Sequence, residues 1–274
     1  MLTTYIIGKR SHLSANLKKN IEKSKILSVR DILNLKSVIS NKKKINIIYN
    51  HSYPLSKINE CRDYCNIVYQ NVVILNNLFK FFLKKKIKIN KFIFSSSSAV
   101  NSLEKNFINF DSFDNNRKLY GVSKFLIETF LVSQKKNFKF ELIIARIFNI
   151  YGLGEKVSII SKIINLRNKN KKISNFTNQK SYRDFIHISD VVKIYKIFLN
   201  KKNISGQYDI GTGIATDIRK LINSFFNKNQ QIYFKNRKFS EVKYSKADIT
   251  NLKKVVGNIL FINLNKFIID SLIK

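Results

Sequence analysis

Tyr120 and Lys124 form the residue pair in this sequence that is best suited to proton transfer. In a helix, a spacing of four places both side chains on one face. A neighbouring ammonium stabilises phenolate and lowers a tyrosine pKa from about 10 toward the range useful for general acid–base chemistry. Ser97 lies 23 residues earlier, in a run of serines that follows the apolar residues 92–94. A hydroxyl at the end of such a strand is suited to polarise a substrate carbonyl.

A second group of residues is suited to bind phosphate. Gly8, Ser11 and Ser14 follow the apolar residues 5–7 with the spacing G-x-x-S-x-x-S, in a chain that has only 8 glycines. In a doubly wound fold, a turn of this kind brings the pyrophosphate of a dinucleotide to a helix N-terminus. With one glycine and two serines, an ordinary strand–helix turn explains the spacing equally well.

These residues need elements to position them, and short apolar runs alternate with amphipathic stretches along the chain. Strands are predicted at residues 5–8, 25–29, 45–49, 91–95, 140–146 and 207–210, and helices at 12–25, 33–39, 66–84, 120–134, 157–166 and 189–199. Such alternation requires βαβ crossovers and a parallel sheet with helices on both faces. The predicted fold class is therefore α/β, a Rossmann-like doubly wound parallel sheet with a small C-terminal substrate-binding region.

The predicted domain organisation follows the same pattern. Residues 1–151 form a dinucleotide-binding domain, which the chain re-enters at about residues 182–214. The substrate-binding region comprises residues 152–181 and 215–274, where the alternation is less regular.

Several motifs together resemble the extended short-chain dehydrogenases/reductases, specifically the NAD-dependent epimerase/dehydratase group that acts on nucleotide sugars. The motifs are F-I-F-S-S-S at 92–97, Y-G-V-S-K at 120–124, A-R-I-F-N-I-Y-G at 145–152, Y-R-D-F-I-H-I-S-D at 182–190 and D-I-G-T-G at 209–213. They occur in the order that the family has, over nearly the whole chain.

The resemblance implies a site and a reaction. Ser97, Tyr120 and Lys124 would be catalytic, with Tyr120 as general acid/base and Lys124 holding the ribose. It also implies cofactor contacts from Gly8, Ser11, Ser14, Asn50 and Asn71, a sugar-nucleotide contact from Asn149 and a diphosphate contact from Arg183. The expected activity is NAD(P)-dependent epimerisation or keto-sugar reduction, and a 4,6-dehydratase is disfavoured because Ser98 and Ala99 replace the acidic pair that follows the catalytic serine or threonine in those enzymes.

The cofactor is expected to be NAD or NADP, and two signals compete over which. Arg10 and Arg30 are suited to the 2′-phosphate of NADP, whereas Asp31 is suited to the ribose hydroxyls of NAD. Two arginines on one dianionic phosphate favour NADPH.

The composition bears on the alternatives. A net charge of +34 suggests a nucleic-acid binder, but it comes from 42 lysines spread along the chain and only 9 arginines, so a solvated lysine-rich surface is favoured. No metal site is predicted, because no second pair of ligands follows Cys61 and Cys65, and because His187 and Asp190 are only two ligands, too few for a site. We expect a cytoplasmic protein without a membrane span that binds a nucleotide sugar, with a homodimer left open. A catalytically degenerate family member is the main alternative, because serines replace two glycines.

Overall fold

The computed structural model describes residues 2–28, 31–32, 43–50, 61–101, 116–156, 158–169, 173–177, 181–226, 231–235 and 243–272. The chain divides into two compact units. The first unit comprises Met1–Arg146 and Val192–Tyr208, and the second comprises Ile147–Val191 and Asp209–Lys274. The sequence-based division has its first boundary at residue 151 and its return to the first domain at about residues 182–214.

Strands and helices alternate through the first unit and become shorter in the second. The strands are β1 (Thr4–Ile7), β2 (Ser24–Leu27), β3 (Lys44–Tyr49), β4 (Lys88–Ser97), β5 (Glu141–Ile147), β6 (Asn149–Tyr151), β7 (Ile173–Thr177), β8 (Tyr182–Arg183), β9 (Phe185–His187), β10 (Gly206–Ile210), β11 (Thr216–Asp217), β12 (Gln231–Lys235) and β13 (Tyr244–Ser245). The helices are α1 (His12–Asn20), α2 (Cys61–Lys84), α3 (Asn116–Phe138), α4 (Ile159–Asn168), α5 (Ile188–Asn200), α6 (Ile218–Ser224), α7 (Thr250–Val256) and α8 (Leu264–Leu272).

The central sheet has six parallel strands in the order β10-β5-β4-β3-β1-β2, which confirms the predicted doubly wound α/β fold. Strand β1 pairs in parallel with β2 on one side and with β3 on the other. The chain order therefore reverses between β1 and β3. In open α/β sheets, ligands bind outside the carboxyl ends of the strands at such a switch point.

The core of the first unit forms because its strands are apolar on both faces, as parallel sheets require. All four residues of β1 are buried, as are five of the six in β3. Phe79 of α2 packs against three other aromatic rings. The centroid of its ring lies 5.8 Å from that of Phe92, 4.7 Å from that of Phe138 and 6.0 Å from that of Phe140. These rings join α2 to β4 and to the end of α3.

The predicted helix at residues 12–25 ends five residues early, at Asn20. The helix stops because Ile21 takes an extended conformation, with φ of −105° and ψ of 113°. Lys23 then adopts a left-handed conformation with φ of 50°, which turns the chain into β2. The Ser24 hydroxyl donates to the Ile21 carbonyl at 2.7 Å, and the Lys18 ammonium donates to the Ser24 carbonyl at 2.6 Å. Apolar periodicity continues through this turn, so the spacing alone could not locate it.

The second unit contains small sheets that the sequence did not reveal, because their strands are only two to five residues long. Their strand orders are β11-β8-β13, β12-β7 and β6-β9. The core of this unit is a separate apolar cluster. It contains Tyr151, Ile160, Ile163, Phe176, Phe185, Ile218, Leu221, Ile222 and Ile268.

The predicted helix at residues 33–39 lies outside the described residues.

Candidate functional site

The turn after β1 lies at the switch point of the sheet, where the fold class places a ligand. Gly8 has φ of 125°, a backbone conformation that side chains other than glycine rarely adopt. Ser11 caps the nine-residue helix α1, and its hydroxyl accepts from the Ser14 N–H at 3.5 Å. The turn thus presents a helix N-terminus at the carboxyl end of β1, which is the geometry that binds phosphate in this fold class.

Asn50, the residue after β3, holds both serines of this turn. Its side-chain amide donates to the hydroxyls of Ser11 and Ser14 at 2.8 Å each, and its N–H donates to the Ile7 carbonyl at 2.8 Å. A hydroxyl that accepts a hydrogen bond keeps its own O–H as a donor. The structure therefore brings together Gly8, Ser11, Ser14 and Asn50, although Ser14 is fully buried.

Two of the residues predicted to select between NAD and NADP lie in the described part of the chain, one before β2 in sequence and one after it. Arg10 is exposed in the turn after β1. Asp31 forms a reciprocal cap with Ser28: the Ser28 N–H donates to the Asp31 carboxylate at 2.6 Å, and the Asp31 N–H donates to the Ser28 hydroxyl at 3.2 Å. Hydrogen bonding to the carboxylate from Ser28, from its backbone N–H first, lowers the pKa of Asp31 below its ordinary value. One carboxylate oxygen is thus engaged by the backbone, while Arg30 lies outside the described residues.

Ser97 is the last residue of β4, two residues beyond the predicted strand end. Its hydroxyl accepts from the Ala99 N–H at 3.2 Å, and its carbonyl accepts from the Val100 N–H at 3.0 Å. This turn ends the strand immediately after Ser97. The hydroxyl is therefore held at the carboxyl edge of the sheet.

Tyr120 and Lys124 lie on α3, which begins four residues earlier than predicted. The Lys124 ammonium donates to the Ser95 carbonyl at 3.0 Å and lies 4.9 Å from the centroid of the Phe94 ring. It also lies 5.7 Å from the centroid of the Tyr120 ring, close enough for a cation–π attraction. Lys124 thus connects the serine-rich end of β4 to Tyr120.

Burial changes the pKa of the Lys124 ammonium. Its side chain is 3% exposed, and desolvation lowers the pKa of Lys124 to about 7, against an opposing effect of Glu128 that raises it. The group can therefore exchange a proton near neutral pH, as residues in active sites often do.

Asn71, on α2, faces inward rather than toward solvent. Its side-chain amide donates to the Ile67 carbonyl at 2.8 Å, and its oxygen accepts from the Tyr49 hydroxyl at 3.0 Å. Burial raises the pKa of Tyr49. Asn71 is therefore tied to the end of β3.

A charged cluster behind Ser97 and Lys124 was not predicted as part of the site. Glu128 accepts from Arg146 at 3.1 Å (Nε) and 2.7 Å (Nη2), and it accepts a short bond from the Ser96 hydroxyl. Arg146 also donates to the Asn101 side chain at 3.0 Å. The available signal was a glutamate one helical turn after Lys124, together with the arginine of the motif at residues 145–152.

Asn149 and Arg183, the predicted substrate residues, lie in the second unit. The Asn149 side chain donates to the Asp184 carbonyl at 2.7 Å, and the Arg183 guanidinium donates to the Tyr182 carbonyl at 2.9 Å. Arg183 is 6% exposed. Burial of a guanidinium is costly without partners, so this arginine is held in place rather than left on the surface.

Asp184 is a fully buried carboxylate that sequence reasoning overlooked, although it lies inside the motif at residues 182–190. It accepts from the Thr212 N–H at 2.9 Å, the Thr212 hydroxyl at 2.7 Å, the Gly213 N–H at 2.8 Å and the Ala247 N–H at 3.1 Å. The two motifs at 182–190 and 209–213 thus meet at this one side chain.

His187 and Asp190 each accept a hydrogen bond from a backbone N–H. His187 Nδ1 accepts from the Ser189 N–H at 3.2 Å, and the Asp190 carboxylate accepts from the Ile262 N–H at 2.8 Å. Within the described ranges, no group of three or more histidine, cysteine, aspartate or glutamate side chains could hold a metal ion. Nor does any helix in those ranges combine the length and the apolar character that a membrane span requires.

Several relatives match parts of the chain, among them a dehydratase and an epimerase. A dTDP-D-glucose 4,6-dehydratase of Dictyostelium discoideum is 34% identical over 156 residues, which cover 51% of this chain and 36% of that protein. An ADP-L-glycero-D-manno-heptose-6-epimerase of Brachyspira hyodysenteriae is 27% identical over 209 residues, which cover 71% of this chain and 65% of that protein. The chain therefore spans less than two thirds of the length of either relative.

Solved structures show the same fold over nearly the whole chain. RMD from Pseudomonas aeruginosa, complexed with NADPH, has a TM-score of 0.80 at 17% identity, covering 99% of this chain and 98% of that one. MoeE5 in complex with UDP-glucuronic acid and NAD has a TM-score of 0.76 at 16% identity, covering 97% and 96%.

The match to a family sequence profile identifies the family of this chain. The profile of the NAD dependent epimerase/dehydratase family matches residues 5–211, which include the turn after β1, the motifs at 92–97 and 120–124, and Asp184. This match confirms the resemblance seen in the sequence, and the chain belongs to the NAD-dependent epimerase/dehydratase family.

Proposed function

We propose that this chain transfers hydride at a carbon of a nucleotide sugar, as an epimerase or a keto-sugar reductase, with Ser97, Tyr120 and Lys124 as the catalytic residues. The observation that carries the proposal is the position of Lys124, which is buried, bonded to the Ser95 carbonyl and packed against the Tyr120 ring. A buried ammonium beside a phenol is an arrangement suited to proton transfer.

The turn at the switch point fits a dinucleotide. Gly8 has the conformation that lets backbone approach a ligand, and α1 directs its N-terminus toward the same edge of the sheet. Gly8 and Ser11 would contact the pyrophosphate, while Ser14 and Asn50 would hold the turn in shape. Asn71 would support the site from α2, through its bond to Tyr49 at the end of β3. A bound nicotinamide cofactor supplies the hydride donor or acceptor.

Side chains of the first unit would transfer the proton and bind the substrate oxygen. The Tyr120 hydroxyl would give or take the proton of the sugar hydroxyl that becomes a carbonyl. Lys124 would stabilise the Tyr120 phenolate and bind the ribose, and the Ser97 hydroxyl would donate to the substrate oxygen. Each role needs a group at the carboxyl edge of β4 or the start of α3, where these residues lie.

Arg183 would bind the diphosphate of the substrate and Asn149 its sugar. A charge-assisted bond from guanidinium to phosphate is stronger than one between neutral groups, which suits a nucleotide diphosphate. The net charge of +34 would further favour an anionic substrate. A cytoplasmic location belongs to the same proposal.

Ser98 and Ala99 argue against a 4,6-dehydratase, because they occupy the place where such enzymes carry an acidic pair. Both residues are buried. A dehydratase of Dictyostelium discoideum matches half of this chain, and the argument against a dehydratase rests on these two residues.

A family member that binds ligand without turnover is the second candidate. The observation that favours it is the pair of bonds from Asn50 to Ser11 and Ser14, which fill the turn with side chains where the family has glycine. Cofactor affinity without turnover on any nucleotide sugar would support this candidate.

Native mass spectrometry of the purified chain, followed by turnover assays on a panel of nucleotide sugars and their keto forms, tests the proposal. Retained NAD indicates an epimerase that regenerates its cofactor, and an empty site that takes up NADPH indicates a reductase.

Tyr120→Phe should lower turnover by about 10²- to 10⁴-fold while cofactor binding is kept. Tyr69→Phe removes the same hydroxyl from an exposed tyrosine and should change nothing. Full activity in Tyr120→Phe refutes the catalytic assignment.

A further inference from the structure

Glu128 joins three elements of the first unit through buried polar contacts. It lies on α3, binds both Nε and Nη2 of Arg146 on β5, and accepts from the hydroxyl of Ser96 on β4. The side chains of Glu128 and Arg146 are 5% and 1% exposed. A bidentate pair of this kind fixes orientation as well as distance, because both donors of the guanidinium must align with the two carboxylate oxygens.

The cluster surrounds Ser97 along the chain. Ser96 precedes it, and Asn101, the acceptor of the third Arg146 bond at 3.0 Å, follows the turn that ends β4. Ser97 therefore lies in a segment that is held at both ends by one ion pair.

Glu128 also lies one helical turn beyond Lys124, on the same face of α3. The groups that face the Lys124 ammonium are the Tyr120 ring and Glu128 from α3, and the Ser95 carbonyl and Phe94 ring from β4. From α5, Tyr195 shares a hydrogen bond of 2.8 Å with the Ser95 hydroxyl. From β5, Arg146 binds Glu128. Among these groups, Glu128 is the carboxylate.

We infer that Glu128 is a positioning residue, which holds the segment of β4 that carries Ser97 against the turn of α3 that carries Tyr120 and Lys124, through Ser96 and Arg146. The inference rests on the proposed function for the roles of Ser97, Tyr120 and Lys124. A pair that only stabilised the fold would not need to contact both sides of Ser97.

Two measurements test the inference without turnover. The first is the NMR titration of Lys124 in protein labelled with ¹³C-lysine, in which the resonance is identified by its loss in Lys124→Arg. The second is hydrogen exchange at the amides of Ala99 and Val100, which bond to Ser97.

The variants separate positioning from stability. Glu128→Gln removes the carboxylate, and the double variant Glu128→Gln with Arg146→Met also removes the unpaired guanidinium, which keeps the fold stable if the single variant unfolds. The control is Glu141→Gln, which removes the carboxylate of the Lys91–Glu141 ion pair (3.0 Å) that joins the same two strands, β4 and β5, away from Ser97.

We expect the Lys124 titration to move down by at least about one pH unit in Glu128→Gln, because an attractive charge is lost. The double variant also loses the repulsive charge of Arg146, so its readout is hydrogen exchange alone. We expect exchange at Ala99 and Val100 to rise by about tenfold or more, because the turn loses its anchor. Glu141→Gln should change neither. An unchanged titration in folded Glu128→Gln, or unchanged exchange in either folded variant, overturns the inference. Failure of the nucleotide-sugar assays would instead refute the proposed function, since neither measurement depends on turnover.

Discussion

Lys124 is the residue whose chemistry depends most on its surroundings. An ammonium in water keeps its proton up to about pH 10.5, whereas desolvation lowers the pKa of Lys124 to about 7 in the folded chain. Between these two values the unfolded chain holds a proton that the folded chain has released. The free energy of unfolding must therefore rise with pH across this window, by up to about 1.4 kcal/mol per unit for this one group.

Lys124→Met tests this dependence, since methionine keeps much of the volume and cannot titrate. We expect the stability of wild type relative to Lys124→Met to be lowest below pH 7 and to rise as the pH increases toward 10. Urea unfolding at pH 6.5, 8 and 9.5 measures the difference. A constant difference over this range would show that Lys124 keeps its proton when buried.

Arg10 is the described arginine that bears on cofactor choice. It is exposed beside the turn, while one oxygen of the competing carboxylate, Asp31, is engaged by the Ser28 N–H. We expect Arg10→Ala to weaken NADPH binding by about 10- to 150-fold and to leave NADH binding nearly unchanged, since a charge-assisted phosphate contact contributes about 1.5–3 kcal/mol. Fluorescence titration with both cofactors measures this. Lys9→Ala, a neighbouring exposed cation, is the control, and equal losses for both cofactors in Arg10→Ala would remove the preference for NADPH.

At the scale of elements, the loop after β10 shows how a strand end is fixed by distant segments. Asp184 receives four hydrogen bonds, two of them from Thr212, one from Gly213 and one from Ala247. Gly211 makes this approach possible, because a Cβ there would lie 2.5 Å from the Ala247 Cβ and 2.9 Å from the Asp184 carboxylate. Both distances are shorter than nonbonded contacts allow.

Gly211→Ala should therefore destabilise the second unit by about 1–3 kcal/mol, the usual cost of overpacking. Adding Ala247→Gly removes the shorter of the two clashes and should restore part of the loss. Gly257→Ala, where a Cβ meets nothing within 4 Å, serves as the control: Ala247→Gly should not rescue it. Thermal unfolding measures all four variants. If Gly211→Ala is as stable as wild type, the loop adapts and the close approach is not required.

At the scale of the whole molecule, the net charge of +34 does not mark the position of the candidate site. Its lysines are distributed over both units, whereas the candidate site depends on a few buried groups such as Lys124 and Arg146. A charged surface without bidentate arginine contacts attracts polyanions only through counterion release, which depends steeply on salt.

We expect a random-sequence DNA duplex to bind weakly at 50 mM salt and to lose at least about tenfold in affinity at 200 mM, as nonspecific binding does. Fluorescence anisotropy at the two salt concentrations measures this. Tight binding that survives 200 mM salt, with preference for one duplex sequence over another, would instead favour the nucleic-acid alternative.

Local spacing was enough to predict much of the first unit. The alternation of short apolar runs with amphipathic stretches determined the doubly wound α/β fold, because inner strands such as β1 and β3 are buried on both faces, whereas a helix that covers the sheet is buried on one. Likewise, Tyr120 and Lys124 fall on one helical face whatever surrounds them. The spacing did not predict the end of α1. The chain turns there at Lys23, and no glycine or proline marks the turn.

The tertiary structure alone decided which of these groups meet. Asn50 reaches Ser11 and Ser14 across 39 and 36 residues, and Asp184 reaches Ala247 across 63. Glu128 lies four residues from Lys124, yet its ion-pair partner is Arg146 of β5. Sequence periodicity records how each element meets the core, but not which elements become neighbours. For that reason the sequence by itself determined the fold class and the candidate residues, whereas the hydrogen bonds that hold them, and the burial that lowers the pKa of Lys124, arise only once the sheet has brought its strand ends together.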